Sequence, residues 1–147
     1  MIHAQDAKRV ELISPATARV TATAAGTVDC IGARYAWFHV SFCSELNTSA
    51  VNPTVAVQHS DDTTVTNFST TGIAAAIQTD LTAAHGVHIG VDRKSKKRYM
   101  RLLITPGTAT NDTIVYQSDV DLSRLEESPG STSEMVGSTN DTVTLVS

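Results

Sequence analysis

RYAWFHVSF, residues 34–42, changes character at every step: Ala36, Phe38, Val40 and Phe42 share one parity, and Tyr35, Trp37, His39 and Ser41 the other. Only an extended chain puts every second side chain on the same side. The stretch therefore reads as a β-strand with Ala36, Phe38, Val40 and Phe42 turned to a core. Its aromatic and β-branched residues fit a pleated surface better than a helix interior.

Working outward, the same period of two recurs. TARVTATA and GTVDCIGA precede it, separated at Ala25 and Gly26. After the turn formers SELNTSAVNP comes TVAVQHS, with Val55 and Val57 facing one way and Ala56 and Gln58 the other. SDDTT then reads as a polar corner, and VTNFST resumes the alternation. GVHIGVD, the basic connection RKSKK and RYMRLLITP read as a hairpin. PGTATND leads into a further strand, TIVYQSDVDLS. In TTGIAAAIQTDLTAAHG the alanines tolerate helix while the isoleucines and flanking glycines favour a loop or strand, so this segment stays open between the two.

At 147 residues the chain has the length of one domain with a real core. Short strands at spacings of about ten residues indicate an all-β fold, a single antiparallel β-sandwich of jelly-roll type over residues 17–123. Residues 1–16 end at Ser14-Pro15 and read as an N-terminal arm ordered by a partner. Residues 124–147 read as a C-terminal tail, rich in Ser, Thr, Gly and Glu, with a last strand at Thr142 to Val146.

A net charge of −4 offers no basic face for nucleic acid. Six of the eleven basic residues nevertheless fall between Arg93 and Arg101. Such a run on an acidic chain suits a solvated turn first, and a protein partner second. Two cysteines, Cys30 and Cys43, each inside an apolar run, exclude a disulfide framework and read as buried thiols. No apolar run reaches membrane-spanning length, and no charged leader opens the chain, so a reducing cytoplasm is the expected place of synthesis.

Motifs for chemistry are sparse. Ser60, Asp61 and Asp62, with His59 beside them, lack the alternate ligand positions, mid-loop Gly and closing Glu of a calcium loop, and Asp and Ser at such a corner bond nearby backbone. His39, His59, His85 and His88 contain no Cys-x₂-Cys or His-Glu-x₂-His pattern, which points away from a zinc site. No Gly-x-Ser-x-Gly elbow occurs. The expectation is a protein without enzymatic activity, metal or cofactor.

Three segments carry a resemblance. VAVQHSDDTTVTNFST, KKRYMRLLITPGTATND and LSRLEESPGSTSEMV resemble the capsid decoration, or cement, proteins of tailed bacteriophages, over about residues 35–136. The resemblance implies a β-rich, jelly-roll-like structural protein of the virion. It implies binding to the major capsid protein on the outer capsid surface, often as a homotrimer, after synthesis in the bacterial cytoplasm. It implies no enzyme, nucleic-acid or membrane partner, and it transfers no site residues.

The contact residues follow from composition. Ile2, Val10, Leu12 and Ile13 in the arm, and Leu125, Met135 and Val136 in the tail, are spaced apolar residues that a capsid or neighbour could cover. Tyr35, Trp37, Arg98, Tyr99 and Arg101 suit a subunit contact as an exposed mixture of aromatic and basic groups. The alternatives are a carbohydrate-binding β-sandwich module, with Tyr35, Trp37 and Tyr99 as its aromatic platform, or a head-fibre or adhesion protein. A small hydrolase is a further, weaker reading.

Overall fold

A computed structural model describes residues 7–14, 19–20, 24–42, 54–69, 75–77, 85–105, 113–114, 116–124 and 142–146. Eleven strands lie within them: β1 (Ala7–Ile13), β2 (Arg19–Val20), β3 (Ala24–Asp29), β4 (Tyr35–Phe42), β5 (Thr54–Ser60), β6 (Ala75–Ile77), β7 (His85–Asp92), β8 (Tyr99–Thr105), β9 (Thr113–Ile114), β10 (Tyr116–Ser123) and β11 (Thr142–Val146). One sheet has the order β1-β10-β4-β7-β11 and a second the order β3-β8-β5-β6, with β2 and β9 forming a small separate ribbon. All pairs are antiparallel except β11 with β7.

The two facing sheets make the fold an all-β sandwich, and the pairing of strands is nested. β5 pairs with β6, β4 with β7, β3 with β8 and β1 with β10, so the first of these eight strands meets the last and the innermost two meet each other. A long doubled ribbon rolled on itself produces this order. The core lies between the two sheets. Phe38, Val40, Val87, Ile89 and Val120 from one sheet meet Val55, Val57, Met100, Leu102 and Ile104 from the other, each with no exposed surface. Ala36, Phe38, Val40 and Phe42 do face inward, as the alternation of β4 requires.

The structure departs from the sequence reading at four places. Residues 7–13, expected in a partner-ordered arm, are a strand of the five-stranded sheet. Ile13 is 7% exposed in the core, and Val10 and Leu12 pack against it. β1 reaches the other sheet because Gly26 has no side chain: a Cβ there would lie 2.7 Å from Leu12 Cβ. For the same reason Ala25-Gly26 is no boundary, and β3 runs straight through it. VTNFST is a 3-10 turn at Val65–Asn67 followed by a single bridge, His59 to Ser69, rather than a strand.

The fourth departure concerns the expected hairpin. β7 and β8 do not pair; they belong to opposite sheets. Each carries a complete apolar face, Val87, Ile89 and Val91 on one and Met100, Leu102 and Ile104 on the other, and crossing the sandwich lets the two faces bury each other. The last strand at Thr142 to Val146 is present, added parallel to β7. No helix among the described residues is long and apolar enough to cross a membrane.

Candidate functional site

Three connections gather at one end of the sandwich: residues 30–34 after β3, 61–69 after β5 and 93–98 after β7. The basic run lies here and is largely engaged within the fold. Arg93 donates from its guanidinium to the carbonyls of Cys30, Ala33 (2.7 Å), Lys97 (3.1 Å) and Arg98 (3.4 Å), tying the two sheet-crossing connections together. Lys97 pairs with Asp61 at 2.9 Å and Arg98 with Asp29 at 2.6 Å. Arg98 holds the Asp29 carboxyl below its ordinary range. An anion arriving here would compete with these carboxylates.

Ser60, Asp61 and Asp62 make the corner. Asp62 accepts from the Thr64 amide at 2.8 Å and from the Asn67 side chain at 2.9 Å, and these bonds lower its pKa, the Asn67 bond most. Its own amide donates to Ser60 Oγ. His59 Nδ1 accepts from the Lys97 amide at 3.2 Å, which suits a neutral ring, and burial and then Lys97 push its pKa down. Two large apolar side chains of the described residues are strongly exposed, Ile31 and Val65, each at 67%, and both sit on the connections of this end.

A second cluster lies on the outward face of the five-stranded sheet. Register brings it together: Asp119 of β10 stands opposite His39 of β4, which stands opposite His88 of β7, while Asp121 of β10 stands opposite Arg9 of β1. The His39 and His88 Nδ1 atoms are 2.8 Å apart, one ring donating to the other. His39 Nε2 is 3.3 Å from Asp121 Oδ2. Arg9 donates to Asp121 through Nε (2.8 Å) and Nη2 (2.9 Å). Burial, and then His88, lower the His39 pKa against the opposing pull of the two carboxylates. One ligand atom each of His39, Asp119 and Asp121 lies within 4.8 Å of the others, a donor set able to hold a metal ion.

The residues expected at subunit contacts do not form one exposed patch. Tyr35 and Trp37 belong to β4 in the five-stranded sheet, Tyr99 and Arg101 to β8 in the other. Trp37 is 3% exposed, its ring laid over Gly90. Arg101 is 8% exposed, donating to Gln58 and covered by the Phe68 ring at 4.6 Å. Arg98 stacks over Tyr99 while paired with Asp29. The aromatic platform of Tyr35, Trp37 and Tyr99 is not assembled either.

Of the expected capsid-contact residues, Val10, Leu12 and Ile13 pack into or against the core. Ile2, Leu125, Met135 and Val136 lie outside the described residues, as does Cys43. Cys30 is buried, and burial pushes its thiol up to about 11. The histidine and aspartate cluster escaped the linear motif search because its members come from separate strands. The usable signal was the outward parity of His39, His88, Asp119 and Asp121 on alternating segments. Compared with known proteins, the chain matches no family model and no curated relative.

Proposed function

We propose that the chain is a structural protein of a bacteriophage virion that binds the outer capsid surface and stabilises contacts between capsomers. The observation that carries this reading is the nested strand pairing of the sandwich, read as a jelly roll of the kind that recurs in viral capsid and lectin domains, joined to the resemblance of residues 35–136 to decoration proteins. Fold alone names no function. The lectin-like alternative loses support because its three aromatic residues are divided between two sheets, with Trp37 covered.

In this reading the grip comes from the loop end. β1 is committed to its sheet, so the apolar tips Ile31 and Val65, on connections that also carry the exposed Lys94 and Asp61, are the described groups best placed to lose water against a capsomer. A homotrimer at the three-fold positions, built at the rolled sheets' sides, leaves that end free to point at the capsid.

The test uses expanded capsids of the encoding phage assembled without this protein. Purified chain should bind at a saturable, stoichiometric occupancy, and the double variant Ile31→Asp with Val65→Asp should stay folded by circular dichroism yet lose most of that occupancy. No binding of the wild-type chain, together with a positive glycan array, would replace the proposal with the carbohydrate-binding reading.

A further inference from the structure

We propose that the outward face of the five-stranded sheet carries a divalent-cation site, with His39 Nε2 and the carboxylates of Asp119 and Asp121 as protein ligands and His88 as the residue that orients His39. The donor set of imidazole and carboxylate selects a borderline ion of the Zn²⁺ class over Ca²⁺ or Mg²⁺, which favour all-oxygen cages.

Three observations support it independently of the acidic residues' mere proximity. First, Asp119 Oδ1 is withdrawn from solvent and has no hydrogen-bond partner among the described residues. Arg9 Nε forms an ion pair with it at 3.7 Å, beyond hydrogen-bond distance. Its lone pairs lack a hydrogen-bond donor among the described residues, and an ion beside it would use them.

Second, the two histidines are placed as a ligand and its support. Only one proton lies between Nδ1 atoms 2.8 Å apart when both rings are neutral. If His39 supplies it, His88 accepts, and His39 Nε2 turns a lone pair toward Asp121 Oδ2 at 3.3 Å. When His88 supplies it instead, His39 Nε2–H faces Asp121, so an ion at the site selects the first tautomer. Metal-bound histidines commonly donate their other N–H to an acceptor that fixes the ring, and His88 is in that position.

Third, the groups rest on rigid supports. His39 and Asp119 are directly opposed in the middle of paired strands whose reverse faces are the fully buried Phe38, Val40 and Val120. Arg9 is the resident counter-ion. Its side chain is 64% exposed, on the edge strand β1, and a divalent ion that takes over the neutralisation of Asp121 displaces its two bonds to that carboxylate.

Arg9 gives the site a signature that incidental surface binding lacks. The experiment titrates the full chain with Zn²⁺ by calorimetry, and with Co²⁺ by its visible absorption, at pH 7.5. One ion per chain should bind. His39→Gln and Asp119→Asn should each weaken binding at least tenfold, and His88→Gln about tenfold or more through loss of ring orientation. Arg9→Ala should tighten it. His3→Ala should leave it unchanged. Tryptophan fluorescence of each ion-free variant checks that the sheet is intact. Absence of saturable binding up to millimolar Zn²⁺, binding that survives His39→Gln, or binding lost in His3→Ala would each overturn the proposal.

Discussion

The Trp37 ring lies directly on Gly90, its partner across the β4/β7 pair, so closely that a Cβ added at Gly90 would lie 2.7 Å from Cε3 of the ring and nearer still to Cζ3 and Cη2. The absent side chain on β7 is what lets an indole lie flat on the outward face. Gly90→Ala should displace the ring and cost about 1–3 kcal/mol, as overpacking does. Trp37 is the chain's single tryptophan, so its fluorescence reports the displacement directly. Combining Gly90→Ala with Trp37→Ala should remove most of the coupling in a double-mutant cycle; strictly additive losses would disprove the contact.

Phe38 is the matching test of the inward face. It has no exposed surface and lies in the centre of β4, so Phe38→Ala should cost about 3–5 kcal/mol in denaturant unfolding. A loss under about 1 kcal/mol would mean that this face is not the core.

Arg93 holds the two sheet-crossing connections by donating to four main-chain carbonyls. Arg93→Ala leaves the part-buried Ala33 carbonyl without its Arg93 donor, while the Cys30 and Arg98 carbonyls keep backbone donors, for a loss on the order of 1–3 kcal/mol. Arg93→Lys should recover little, because one ammonium cannot reproduce the planar fork. Hydrogen exchange should show residues 30–34 and 93–98 loosening together. Loosening of one connection alone would refute the shared staple.

His59 gives a pH dependence with a definite sign. Burial, then Lys97 and Lys96, depress its folded-state pKa, with Asp61 opposing. The unfolded chain therefore takes the proton first. The stabilisation is complete above the unfolded value near 6.5 and is lost as pH falls through the folded value. His59→Asn, which keeps an acceptor for the Lys97 amide, should flatten the profile of stability between pH 7 and pH 5. An NMR titration placing the folded His59 above 6.5 would reverse the sign.

Cys30 should be chemically silent in the folded protein. With its thiol pushed up to about 11 and no exposed surface, a Cys43→Ser variant should react with a disulfide reagent at pH 8 only as fast as it unfolds. Prompt reaction without denaturant would show that Cys30 is accessible.

Much of this protein is local and therefore legible. The alternation of Ala36, Phe38, Val40 and Phe42 fixes the inward face of β4 because a pleated strand has a period of two and apolar surface leaves water wherever it can. The same reasoning places TVAVQHS, YMRLLIT and YQSDVDLS in strands and makes the Ser60, Asp61, Asp62 corner a turn held by its own side chains. Partner choice is not local. β7 and β8 look like a hairpin because a short turn joins them, yet each has a full apolar face to bury, and opposite sheets satisfy both faces where one hairpin would share a single side. Residues 7–13 look like an arm because an edge strand buries only part of its surface, and what secures it is its pairing with β10, far along the chain, together with the close approach that Gly26 allows. The histidine and aspartate cluster belongs to the same class. His39, Asp119 and Asp121 are separated by up to 82 positions in the sequence, and only antiparallel register, which is set by the whole rolled ribbon, brings one ligand atom of each within 4.8 Å of the others, with His88 beside His39.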